Sequence, residues 1–376
     1  MTSVKDLDEA QLLMLSTIAY LEGVAVEKDA TVGEVVKYLL HKGGLADSQI
    51  PEKKSKSSEY SCNMTKRLTL GKILGQRSQG EYPCNMTKKE WVNLLKLIEK
   101  DKTLTNLKIK HGITEATGFR AFWCVDENNN AVLVYRGTAS DFQWHDNGQG
   151  GYLPDTEQQN RALEYFEEHA GEYNYVIPTG HSKGGNLAMY TTIVSDSEKI
   201  GRCVSFDGQG FSLEFKKEYE DNIEKSQGKI LSVCAKNDFV NCLLSPVGKK
   251  IYIETEKQEQ YINNHCPHIM LDKRGHLREI TEQDELTERL GAYSVSLLSA
   301  MSAENKVFAM DGIMAFFEEN PEESKLQQLL ATKMIINKFA EIAFANAVKE
   351  RWDNFSPKTP SPEKTENETK QEPGSR

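Results

Sequence analysis

Apolar positions recur at helical spacing three times before residue 101. Within Leu7–Leu21, Leu12, Leu15 and Ile18–Ala19 follow the acidic pair Asp8-Glu9. Thr31–Leu40 repeats the pattern, with Thr31 as N-cap and Glu34 three residues on, and Thr87–Lys100 carries Trp91, Leu94, Leu95 and Ile98 on one face. Each stretch predicts an amphipathic helix. From Lys42 to Lys89 the chain is polar and irregular, which predicts a surface insertion or, on a sharper reading, a mobile flap over a functional site. CNMTK occurs twice there, at Cys62–Lys66 and Cys84–Lys88, too few copies for a solenoid.

Beyond residue 100 the apolar positions change period. Phe119–Val125 and Ala131–Tyr135 are β-rich runs joined by Asp126–Asn130, a predicted hairpin, and Thr156–His169 reads as a helix capped by Thr156. Tyr175-Val176-Ile177 is a short apolar strand that leads through a Gly-rich turn into a helix carrying Leu187, Ala188 and Ile193. Arg202–Phe206, Lys229–Ala235 and Lys250–Glu254 predict further strands, and His268–Leu271 with His276–Ile280 predicts a terminal hairpin around Asp272–Gly275. Helices are expected at Leu286–Met301, Val307–Glu318 and Leu326–Ala347. After Phe355 no aliphatic or aromatic residue remains, so 356–376 should be disordered. Strands alternating with helices imply an α/β fold with a mainly parallel sheet, whose functional site forms at the carboxyl ends of the strands. The expected division is a helical region over 1–100 with its insertion at 42–89, an α/β core over 101–300, and helices over 301–355.

Composition narrows the class. A chain of 376 residues, 38% hydrophobic and 27% charged, can bury a sizeable core, and no window approaches 18 uninterrupted apolar residues. A membrane span is not expected. The first residues lack a basic region followed by an apolar core, and the seven cysteines are scattered without a C-x-x-C pair. These features predict a cytoplasmic protein without a disulfide framework or zinc site. A net charge of −10 with no basic face argues against nucleic acid as a partner. The sequons at Asn63, Asn85 and Asn367 carry no meaning without secretion.

The chemistry concentrates at Gly180-His181-Ser182-Lys183-Gly184. G-x-S-x-G between a strand and a helix predicts a nucleophile elbow, with the Ser182 hydroxyl projecting from a sharp corner and the Lys183 N–H free to donate at a helix start. Rival Gly-rich readings fail, because no G-K-[ST] occurs and Gly148-Gln149-Gly150-Gly151 lacks the dinucleotide spacing. A serine hydroxyl needs an imidazole to take its proton, and the imidazole needs a carboxylate. In the order Ser, acid, His, the strand end Asp238 and the loop residue His265 fit. Asp207, also at a strand end, is the competing acid, and its Gly208-Gln209-Gly210 neighbours favour a turn role for it; His268 and His276 compete with His265.

The segment Gly180–Ala188 resembles the elbow of a bacterial family of lipase-like α/β-hydrolases, long catalogued as a domain of unknown function and related to the class-3 lipases. The likeness extends from Leu7 to Glu318. Tyr135-Arg136-Gly137-Thr138 with Trp144 and Asp146 resembles that family's F-R-G-T…W…D segment, which implies that Thr138 lines an oxyanion hole with Lys183. Phe206–Phe211 resembles F-D-G-P-G-F, with Gln209 where Pro is usual. His265-Cys266-Pro267 resembles H-D-P, which singles out His265, with Cys266 in place of Asp. The resemblance implies an α/β-hydrolase fold and a serine ester hydrolase, lipase- or esterase-like, with Ser182, Asp238 and His265 as triad and no cofactor. Acyl transfer or amide hydrolysis on the same triad, and a non-catalytic scaffold of the same fold, are the alternatives.

Overall fold

The computed structural model describes residues 3–24, 30–41, 44–45, 49, 82–139, 141–258 and 261–300. The expected helices Val307–Glu318 and Leu326–Ala347, the tail, the upstream CNMTK copy and most of the insertion lie outside these.

The N-terminal helices form where their caps are written. Helix α1 (Glu9–Ile18) starts at Asp8, whose carboxylate accepts the Gln11 N–H at 2.8 Å. Strand β1 (Ala30–Thr31) leads into α2 (Val32–His41), where Glu34 accepts the Thr31 N–H at 2.8 Å and the Thr31 hydroxyl accepts the Glu34 N–H at 3.1 Å. Thr87 and Glu90 make the same reciprocal pair at α3 (Lys88–Lys100). Each such cap contributes about 1 kcal/mol. The predicted face of α3, Trp91, Leu94, Leu95 and Ile98, is buried, which contributes roughly 2 kcal/mol per side chain. A short helix α4 (Lys102–Asn106) follows.

The sheet then builds outward in chain order. Strands β2 (Lys108–Thr114), β3 (Arg120–Val125) and β4 (Asn130–Tyr135) are antiparallel, with Ala121 opposite Tyr135 in the predicted hairpin. After helices α5 (Asp141–Gln149) and α6 (Glu157–His169), β5 (Tyr175–His181) pairs parallel to β4 and runs into α7 (Lys183–Val194). Strand β6 (Cys203–Phe206), helices α8 (Leu213–Glu218) and α9 (Glu220–Ser226), β7 (Ile230–Ala235) and β8 (Lys249–Ile253) continue the parallel order. Strand β9 (Ile280–Thr281) closes the edge antiparallel to β8, and α10 (Glu285–Ala300) follows. The nine strands lie in one sheet in sequence order.

Parallel strands laid down in chain order with right-handed crossovers put every crossover helix on one face. The cores obey this. Ala131, Leu133 and Tyr135 of β4 pack with α6 and α7, while Val132 and Val134 pack with α1, α2 and α3 on the opposite face. The N-terminal helices therefore cover the sheet face that the crossovers leave bare, and the chain has the α/β-hydrolase layout of a sheet sandwiched by helices. No helix among the described residues is long and apolar enough to cross a membrane.

Two expectations need correction. The terminal hairpin is only a turn. Asp272 N–H bonds the His276 carbonyl at 2.8 Å and Leu271 bridges Leu277, but Pro267–Met270 is a 3-10 helix, because proline favours the first turn of a helix and cannot donate to a ladder. The end of the supposed surface insertion is packed: Tyr82 and Met86 are buried, and Cys84 and Asn85 take positive φ of 58° and 56°.

Candidate active site

Ser182 sits between β5 and α7 at φ 59°, ψ −127°, a backbone state costly for any residue with a Cβ. The corner is held on both sides: Ser182 N–H donates to the Phe206 carbonyl at 2.8 Å, and the Ser182 carbonyl accepts from Gly185 N–H at 2.9 Å. The glycines of G-x-S-x-G are demanded by close approach. An added Cβ would lie 2.1 Å from the Tyr135 carbonyl oxygen at Gly184 and 2.4 Å from the Gly184 carbonyl carbon at Gly180.

His265 ends the 3-10 turn Tyr261–His265, and its Nδ1 lies 3.0 Å from Oδ1 of the fully buried Asp238. The carboxylate is itself fixed, Oδ1 accepting from Val240 N–H at 3.2 Å and Oδ2 from Asn241 N–H at 3.1 Å. The His265 ring tilts over His181, the residue before Ser182, with centroids 4.7 Å apart. His181 in turn meets the Tyr20 hydroxyl through Nδ1 at 2.9 Å, and burial, reinforced by His265, holds its pKa well below the ordinary imidazole value. His268 instead lies 3.5 Å from Glu90, which it and Thr87 hold down at about 2, and His276 is exposed beside Asp272. The structure thus brings Asp238 to His265 and to neither rival.

Asp207 follows β6 directly at φ 49°, fully buried. Its Oδ1 accepts from Ala235 N–H at 2.7 Å and Asn241 Nδ2 at 2.9 Å, while Oδ2 has no partner among the described residues. Burial first and the neighbouring Asp238 second push it up to about 7, with His265 opposing. Side-chain ligand atoms of His181, Asp207 and His265 lie within 4.8 Å of one another, as do those of His111, His169 and Glu172 at the outer end of α6. In the second group the imidazoles stack at 4.0 Å and 13°, which confines their lone pairs to two nearly parallel planes rather than converging them on one ion.

The loop that carries His265 is clasped by the downstream CNMTK copy. Cys266 Sγ donates to the Cys84 carbonyl at 2.9 Å, Asn85 Nδ2 donates to Asn263 Oδ1, and Trp91 Nε1 reaches the Pro83 carbonyl at 3.3 Å. Cys266 therefore has a local role where the related segments carry Asp. The described cysteines Cys84, Cys124, Cys203, Cys234, Cys242 and Cys266 form no disulfide.

Thr138 leaves β4 beside the elbow, since a Cβ on neighbouring Gly137 would lie 2.6 Å from the His181 carbonyl oxygen. Its Oγ1 accepts from Asn147 Nδ2 at 3.0 Å, so its own O–H remains to donate. Lys183 N–H opens α7 in the turn where a helix has no internal acceptor for it. Charge pattern gave no warning of the Lys183 side chain, which is fully buried against Asp146. The side chain of Trp144 lies outside the described residues.

A mainly parallel central sheet flanked by helices, with a G-x-S-x-G corner between β5 and α7, defines a protein of the α/β-hydrolase class. The chain belongs to the Mbeg1-like family, whose model matches residues 101–312. Among solved structures it is similar, at 12% identity and a TM-score of 0.36, to a mutant form of MDLA from Penicillium cyclopium, over 69% of this chain and 83% of that one. It is also similar to M37 lipase, at 11% identity and a TM-score of 0.32, over 89% of this chain and 100% of that one. No curated protein matches it.

Proposed function

We propose that the protein is a serine hydrolase that cleaves carboxylic esters of lipid or other acyl substrates through an acyl-enzyme on Ser182. The observation that carries this reading is the 3.0 Å contact between His265 Nδ1 and the buried Asp238 carboxylate, set at the strand ends where Ser182 occupies its strained corner. Asp238 fixes the tautomer with the proton on Nδ1, so Nε2 is the base. Ser182 Oγ attacks the acyl carbon as its proton passes to Nε2. The tetrahedral oxyanion accepts hydrogen bonds from Lys183 N–H and from Thr138 through its hydroxyl or a neighbouring N–H. Collapse expels the alcohol, which takes the proton from His265, and water repeats the sequence to release the acid. No step calls for a cofactor.

Turnover of a short-chain nitrophenyl ester tests the reading. Ser182→Ala should fold with an unchanged denaturation midpoint and lose several orders of magnitude in kcat/KM. Equal turnover by the folded variant would overturn it.

A further inference from the structure

The Lys183 side chain is an oddity that the proton-transfer chemistry does not use. It leaves the residue whose N–H would hold the oxyanion, points away from the solvent-facing corner, and ends fully buried against the carboxylate of Asp146, itself 2% exposed. Burial pulls the ammonium pKa down and Asp146 pulls it back up. A buried pair of this kind gains little net stability over a well-packed apolar pair, so its presence asks for a geometric reason.

The geometry supplies one. Asp146 is pinned at both oxygens: Oδ2, which meets the Lys183 ammonium, also accepts from the Thr156 hydroxyl at 2.8 Å, and Oδ1 accepts from Gln158 N–H at 2.9 Å at the start of α6. The next residue along α5 is Asn147, which holds the Thr138 hydroxyl at 3.0 Å, and one turn earlier Gln143 accepts the Ala139 N–H at 2.8 Å. Helix α5 therefore grips the Thr138 turn with Asn147 and Gln143 and the elbow helix with Asp146. The two donor sites of the oxyanion hole belong to separate chain segments, the end of β4 and the start of α7. Among the described residues α5 joins them directly through side chains.

We infer that the Lys183–Asp146 ion pair is a positioning device that sets the separation of the two oxyanion donors, Thr138 and the Lys183 N–H. The inference rests on the hydrolase reading above. Lys183 and Asp146 touch no reacting atom; they act through the backbone of Lys183 and through α5. A charged, hydrogen-bonded pair with one allowed geometry fixes a distance more narrowly than apolar side chains, which slide. A misplacement of about 1 Å at a catalytic donor costs on the order of 10²-fold in rate.

The test replaces the pair without leaving an orphan charge. In Lys183→Met/Asp146→Asn, the Asn oxygen still accepts from Gln158 N–H, and the methionine fills the channel of the lysine stem. Lys183→Met and Asp146→Asn alone serve as controls for an unpaired buried group. Four quantities are read on each variant: the denaturation midpoint, kcat and KM for a short-chain ester, affinity for a boronic acid that mimics the tetrahedral state, and the rate of fluorophosphonate labelling. The double variant should keep its midpoint while losing kcat and boronate affinity together, by at least about 10-fold, with KM within about 2-fold. Labelling should slow in proportion. A double variant that folds and retains wild-type kcat and boronate affinity overturns the inference and leaves the hydrolase reading intact, because the wild type is still labelled. A wild type that is neither labelled nor active overturns both. Should the double variant not fold, Asn147→Ala reads the other end of the same brace. Loss of kcat and boronate affinity at constant KM supports the positioning role of α5, and unchanged values overturn it.

Discussion

Two neighbouring strands end in a buried aspartate, and the two corners are built for different work. After β7, Asp238 spreads its accepted hydrogen bonds over both oxygens and presents Oδ1 to the His265 imidazole at 3.0 Å. After β6, Asp207 commits one oxygen to Ala235 N–H and Asn241 Nδ2 and leaves the other without a partner among the described residues. Residue type and burial are shared, Asp207 directly after its strand and Asp238 in the turn after its own; the partner set differs. Asn241 joins the corners, its backbone N–H serving Asp238 and its side chain serving Asp207. The difference teaches that a strand-end carboxylate is assigned by what the facing loop delivers to it. An anion with an unsatisfied buried oxygen relieves its cost by binding a proton, whereas one that faces an imidazole can steady a cation.

The sharpest way to break this comparison is at the imidazole. His265→Ala should lower ester turnover by about 10⁴-fold or more, since members of a triad act as a unit, while His268→Ala, which only releases Glu90, should lower it less than about 5-fold. If the loss followed His268, the corner after β7 would lose its meaning. Next comes the carboxylate itself. Asp238→Asn should cost about 10³–10⁴-fold in kcat, because the amide favours the wrong imidazole tautomer, whereas Asp207→Asn should cost less than about 10-fold. Reversal of that ranking would move the acid to the corner after β6. Thr138→Val tests the other side of the site and should lower kcat by about 10²-fold with little change in KM, while Thr138→Ser, which keeps the donor, should retain most activity. A stable valine variant with near-wild-type kcat would leave the oxyanion to backbone donors alone.

The smallest effect concerns stability. The folded-state pKa of Asp207 is raised to about 7 from an ordinary 3.8, so the fold binds this proton more tightly than the unfolded chain does. Its contribution is fully present below the ordinary carboxylate range and is lost as pH rises through about 7. Asp207→Asn keeps an Oδ1 acceptor for Ala235 N–H and carries no titrating proton. The urea midpoint of the variant relative to wild type should therefore rise between pH 5 and pH 8. A difference that stayed flat over that range would mean that Asp207 is ionised throughout.

Much of the site was legible because its signals are local. The elbow needs two small residues at fixed spacing around a serine, and the caps at Thr31, Thr87 and Thr156 are read from a hydroxyl and a Glu or Gln three residues on. What escaped notice depends on contacts far apart in sequence. Strand β2 carries Lys108, Lys110 and His111 and breaks its register with a bulge between Lys110 and Ile113, so it shows no clean alternation. Helix α5 reads DFQWHDNGQ, too polar to show an apolar stripe. The burial of Lys183 and its pairing with Asp146 across 37 residues leave no trace in spacing. The clasp of Cys84 on Cys266 spans 182 residues and was equally invisible.

The central claim is that Ser182 is an activated nucleophile, and intact-mass measurement after treatment with a fluorophosphonate tests it most directly. Covalent capture needs the nucleophile, the imidazole base and the oxyanion donors to work together. The wild-type protein should gain a single adduct, located on Ser182 by peptide mapping, while Ser182→Ala gains none and His265→Ala is labelled at least about 10²-fold more slowly. A wild-type chain that remains unmodified, or an adduct that persists in Ser182→Ala, would contradict it.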